Sequence, residues 1–83
     1  NAWAYNNRAW AHLNARKPMP ALSDAERALA LIPNNADFLN TRGHVLEVLG
    51  RKSHAIASFR RALAADPSLQ ASSEGLKRLG VRL

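Results

Sequence analysis

The segment RALALIP at residues 27–33 returns as RALAADP at residues 61–67, a shift of 34 positions. The same shift lays Ala21 on Ala55, Leu22 on Ile56 and Ala25 on Phe59, all outside the repeated phrase. Further upstream it lays Tyr5 on Leu39, Arg8 on Arg42 and Ala9 on Gly43, so that small positions meet small ones and bulky positions meet bulky ones. A fixed period of about 20 to 50 residues marks a stacked array, in which each unit buries its apolar face against the next. A chain of 83 residues with this period is a short array with one core.

Each unit reads as two helices. In residues 2–15 the bulky residues Trp3, Tyr5, Trp10 and Leu13 fall among alanines at helical spacing. A second helix is expected from about Pro20, where a missing N–H is harmless in the first turn, to Leu31, with Pro33 as its stop. Asn34 and Asn35 are good N-caps for a third helix over residues 36–49, and Gly50 suits the left-handed position that ends it. Ser53 is expected to cap the fourth helix, which ends before Asp66, and Ser68 to cap a fifth over residues 69–79 with Gly80 as its stop. The expectation is an all-α chain of helices joined by short turns.

Bulk composition agrees with that reading and narrows the function. Apolar residues at 47% and charged residues at 22% suit a folded domain and not a disordered tail. No apolar run approaches the ~18 residues needed to span a bilayer, so no membrane role is expected. The absence of cysteine removes disulfides and thiolate chemistry. There is no glycine-rich phosphate loop, no HExxH spacing and no G-x-S-x-G elbow, so neither catalytic residues nor a metal or other cofactor is expected. Asp24 with Arg27, and Glu47 with Arg51, read as ordinary i,i+3 and i,i+4 helix pairs.

The unit resembles the tetratricopeptide repeat, whose 34-residue pattern runs W-x2-L-G-x2-Y, A-x3-F, then P. The second unit shows Leu39-x2-Arg42-Gly43-x2-Leu46, then Ala55-x3-Phe59, Ala62 and Pro67. The first shows Tyr5-x2-Arg8-Ala9-x2-His12, then Ala21-x3-Ala25, Ala28 and Pro33, and departs from the pattern at His12 and Ala25. The resemblance implies a helical-hairpin solenoid with repeats at residues 2–35 and 36–69 and a capping helix at residues 70–83, at the C-terminal end of a longer protein. In such a unit Gly43 and Ala55 are where the two helices press closest, and Arg8 and Arg42 are expected to brace the fold.

The family's usual activity, holding a peptide or protein segment in the concave groove of the first helices, is implied here as well. The groove positions are Trp3, Asn6, Asn7, Trp10, Leu13 and Asn14 in the first unit and Asp37, Asn40, Thr41, His44, Glu47 and Val48 in the second, with Glu74 and Arg78 from the last helix. Trp3, Asn7, Trp10 and Asn14 follow one another at steps of four, three and four, a single helical stripe. Aromatic area interleaved with side-chain amides suits a peptide ligand. The two tryptophans equally suit packing against another repeat, or against a second copy of the chain through its uncapped first helix. A subclass that grips the C-terminal carboxylate of chaperone tails uses lysine, arginine and asparagine at positions where this chain has Asn6, Trp10, Thr41, Ala71 and Gly75, which argues against that ligand.

Twelve basic residues against six acidic raise an alternative, electrostatic binding of nucleic acid or another polyanion. Arg16-Lys17 and Arg51-Lys52 fall in the turns inside each unit and would form a basic edge. No aromatic residue is interleaved with them, so base stacking is not supported.

Overall fold

Three of the five helices start where the chain offers either a side-chain acceptor or a residue with no N–H to satisfy. The computed structural model describes residues 1–83. It contains α1 (Ala2–Asn14), α2 (Pro18–Leu31), α3 (Ala36–Val48), α4 (Lys52–Ala65) and α5 (Gln70–Arg78), with no strand. Asn1 caps α1 by accepting the Ala4 N–H at 3.0 Å, and Asn35 caps α3 by accepting the Phe38 N–H at 3.0 Å.

Three starts differ from expectation. The second helix begins at Pro18, two residues early, because a proline at the first helical position already has the helical φ. Ser53 lies inside α4, which starts after Arg51 without a side-chain cap. Ser68 does not cap α5 either: Asp66 Oδ1 accepts both its N–H at 3.0 Å and its O–H at 2.7 Å, closing a local turn ahead of the helix. The stops follow the sequence reading more closely. Gly50 and Gly80 take left-handed φ values of 75° and 87°. Arg16, the repeat mate of Gly50, takes the same conformation at φ 60° despite its side chain.

The helices form two layers. α1 packs on α2 and α3 on α4 as hairpins, α2 rests against α3, and α4 against α5. α1 also touches α3, and α3 touches α5, so the first helices run side by side in one layer with α2 and α4 behind them.

The core lies between the layers in two clusters. One gathers Ala2, Ala28, Leu29, Phe38, Leu39 and Ala62, with Tyr5 and Leu69 at its edge. The other gathers Leu46, Ala55, Phe59 and Leu76. Phe38 and Phe59 are the largest fully buried side chains. Burial of each contributes about 1.5 to 3 kcal/mol.

Phe59 is held between two glycines. A Cβ built on Gly43 or on Gly75 would stand 2.6 Å from its ring, so α3 and α5 can close on the phenyl group only because neither carries a side chain there. The close approach expected at Gly43 is thus present, and a second one across to α5 accompanies it.

The arginine brace is also present. Arg8 donates from Nε and Nη2 to the two oxygens of Asp24 at 2.7 and 2.8 Å, and Arg27 donates to Oδ1 at 2.9 Å. The Asp24 side chain is 1% exposed, and these bonds hold its carboxyl below the usual range. In the second repeat Arg42 donates to Ser58 Oγ at 3.2 Å instead. His12, half-buried, places Nε2 3.5 Å from Asp24 Oδ2.

Candidate peptide-binding face

Helical periodicity carries four residues of α1 to one exposed stripe. Trp3, Asn7, Trp10 and Asn14 are all exposed, with Trp3 at 47% and Trp10 at 36%. For side chains of this size that is a large apolar area left in water. Trp3 meets the edge of Phe38 with ring centroids 4.7 Å apart, which fixes the indole over the seam between α1 and α3.

A continuous cluster crosses the three first helices. The Trp10 ring lies 5.3 Å from the His44 ring, and His44 in turn meets the edge of Phe59 at 5.3 Å. Arg78 of α5 forks onto Glu47 of α3, Nε to Oε2 at 3.1 Å and Nη2 to Oε1 at 2.9 Å, while its Nη2 stands 3.5 Å from His44 Nδ1. Arg78 lowers the Glu47 pKa chiefly through these bonds, and Glu47 raises that of Arg78 in the same way. Burial lowers the His44 pKa, the Arg78 charge adds to the effect and Glu47 opposes it. His44 is therefore a neutral ring at physiological pH, wedged between an indole, a phenyl group and a guanidinium.

The remaining candidates divide by burial. Asp37 and Glu74 are exposed, Val48 is 63% exposed, and Leu13 is half-buried. Thr41 is 1% exposed and donates its hydroxyl to the Asp37 carbonyl at 3.0 Å, so it offers nothing to the surface. Asn40 is buried between α3 and α5, where its Oδ1 accepts the Ser72 hydroxyl at 2.8 Å. Asn6, its repeat mate, is equally buried, but the position matching Ser72 is Phe38, which has no side-chain donor. Asn6 Oδ1 accordingly has no partner.

The i,i+4 pairing of Glu47 with Arg51 does not form. Glu47 turns to Arg78, 31 residues away, while Asp24 and Arg27 do pair as expected. Two framework features were not read from the sequence: the Ser72 to Asn40 bond and the Gly75 seat for Phe59. The second had a signal, since Gly75 is a glycine inside a helix with no turn to explain it.

The family model for the tetratricopeptide repeat matches residues 36–69, and five helices fold here as hairpins with that period. The chain belongs to the tetratricopeptide repeat family. Tetratricopeptide repeat protein 28 of Mus musculus is 38% identical over 71 residues, 84% of this chain and 3% of that protein. Sperm-associated antigen 1 of Rattus norvegicus is 36% identical over 66 residues, 80% of this chain and 7% of that protein. Among solved structures, the tetratricopeptide domain of Arabidopsis OM64 superposes with a TM-score of 0.91 at 34% identity, covering 96% of this chain and 66% of that one. The first tetratricopeptide domain of Spaghetti (RPAP3), bound to the HSP90 peptide SRMEEVD, superposes with a TM-score of 0.91 at 25% identity, covering 95% and 63%. This chain therefore spans a small fraction of the curated relatives and about two thirds of these two domains. Its tetratricopeptide solenoid carries the face described above on the layer of first helices.

Proposed function

We propose that this chain is a non-catalytic protein-interaction module that takes a peptide or protein segment across α1, α3 and α5. The observation that supports this most is the run of Trp10, His44, Arg78 and Glu47 over all three helices, beside the exposed stripe of α1. Trp3 and Trp10 supply the apolar area that anchors a segment, and Asn7 and Asn14 supply amide donors and acceptors for its backbone. The Glu47–Arg78 pair, each neutralising the other, fixes the far wall without a strong net charge. Asn6, Asn40 and Thr41 serve this face from beneath, as buried spacers.

A structural neighbour is bound to the HSP90 peptide SRMEEVD. The five clamp positions here support a different ligand. Asn6 and Thr41 are buried, and Trp10, Ala71 and Gly75 bring no cation. A terminal carboxylate placed among them would lose its hydration with no guanidinium or ammonium in exchange. The segment we propose is internal or neutral, read by aromatic contact and amides.

The test is a pull-down from nuclease-treated and untreated lysate with this chain and with Trp10→Ala. The expected result is a protein retained by the first, lost by the second and indifferent to nuclease. Recovery that requires nucleic acid and ignores Trp10 would sink the reading and favour the basic edge.

A further inference from the structure

The back of α3 carries a second recess. α2 and α4 make no backbone approach to one another, so α3 forms the floor of a cleft between them, about 320 Å3 in volume. Leu22, Leu46 and Ala57 give it an apolar lining. Arg42, Arg51 and Arg61 also line it, beside Glu26 and His54.

A comparison within the molecule shows that its charge is poorly compensated. Arg8 and Arg42 are repeat mates, and so are Asp24 and Ser58. In the first repeat a buried carboxylate takes Arg8 by two bonds of 2.7 and 2.8 Å. In the second a hydroxyl stands in its place, accepting one Arg42 N–H at 3.2 Å and giving its own proton to the Leu39 carbonyl at 2.7 Å. The Arg42 side chain is 19% exposed, and its ion pair is a loose one, 3.6 Å to a Glu26 carboxylate that is half in water. Arg61 is held at 3.0 Å by the neutral amide oxygen of Asn34. Three arginines thus line a cleft whose one carboxylate, Glu26, is loosely paired to Arg42. A guanidinium drawn out of water with unused N–H donors accepts a carboxylate through both oxygens.

The geometry points to a second binding site in this cleft, for an acidic protein segment whose Glu or Asp carboxylate lies on Arg42 between Arg51 and Arg61. An aliphatic side chain next to that acid fits against Leu22 and Leu46. Among macromolecular polyanions the lining favours protein, because no phenyl or indole ring is present on which a base could stack. The site lies on the opposite side of α3 from His44 and stands whether or not the tryptophan face binds anything.

The experiment titrates the chain, by fluorescence anisotropy, into three labelled probes: a peptide of alternating Glu and Leu, its Gln-for-Glu counterpart, and a single-stranded RNA of similar length. Saturable binding of the Glu peptide alone is expected. Ser58→Asp gives the second repeat the carboxylate of the first, and should keep the thermal midpoint while weakening the Glu peptide about tenfold, the value of one charge-assisted hydrogen bond. If that variant melts early, Arg51→Gln with Arg61→Gln, both exposed, takes its place with the same expectation. The proposal is overturned by absent binding of the Glu peptide, by equal binding of the Gln peptide, or by tighter binding of the RNA. It is overturned equally by full affinity in a folded cleft variant, or by affinity that falls with Trp10→Ala instead.

Discussion

His44 carries two duties that conflict. It fills the space between Trp10 and Phe59, which needs a flat neutral ring, yet it titrates. Because burial and Arg78 lower its folded pKa, the unfolded chain takes up a proton at higher pH than the folded one. Folding stability should therefore fall as the pH drops below the unfolded histidine value of about 6.5, and be fully present above it. Urea titrations between pH 7.5 and 5 should show that loss in the chain and a smaller one in His44→Gln. Equal slopes would remove His44 as the titrating group. The same ring contacts Trp10, so acid should also loosen the Trp10–His44 contact. Asp24 adds a second dependence with its own window, since its depressed pKa makes its contribution full at neutral pH and lost only as the pH falls below the usual carboxylate range.

At the scale of elements, two positions test what local chemistry decides and what packing decides. Gly to Ala inside a helix normally stabilises by about 1 kcal/mol. At Gly75 the sign should reverse, with a net cost of about 1 to 3 kcal/mol, because the new Cβ meets a phenyl ring that Gly43 already confines from the other side. Arg16→Gly should act the other way and add about 1 kcal/mol, relieving a left-handed residue at a helix end. Thermal midpoints of the two variants moving in opposite directions would bear this out, and a stabilising Gly75→Ala would show that Phe59 is less confined than described. The contrast also explains which helix ends could be read from the sequence. Gly50, Gly80 and Asn35 act through their own backbone or side chain, and each was legible. Ser53 and Ser68 had the right chemistry, but α4 and α5 begin after Arg51 and Leu69, neither of which caps with its side chain.

Across the whole molecule, legibility follows distance along the chain. The period of 34 and the stripe of Trp3, Asn7, Trp10 and Asn14 are repeated or local patterns, and both survive in the fold. The Glu47–Arg78 fork and the Ser72 to Asn40 bond join helices 31 and 32 residues apart, and charge or polarity alone does not choose such partners. The burial of Asn6 and Thr41 was hidden for the same reason, since it depends on which neighbour covers each turn. The seat of Phe59 between two glycines also sets how copies can join. Counting in repeats, Asn7, Thr41 and Gly75 share one position, as do Ala25 and Phe59. Thr41 therefore follows a small alanine, while only glycine follows the phenylalanine. If a second molecule displaced α5 and seated its own α1 there, Asn7 would land on the ring, so that mode of end-to-end joining is opposed by one side chain. Sedimentation at rising concentration should show Asn7→Gly associating more readily by this route than the unaltered chain. The order of the units is thus written into the joint between them, and a tandem made by appending the first unit after the second would need that asparagine removed before it could close.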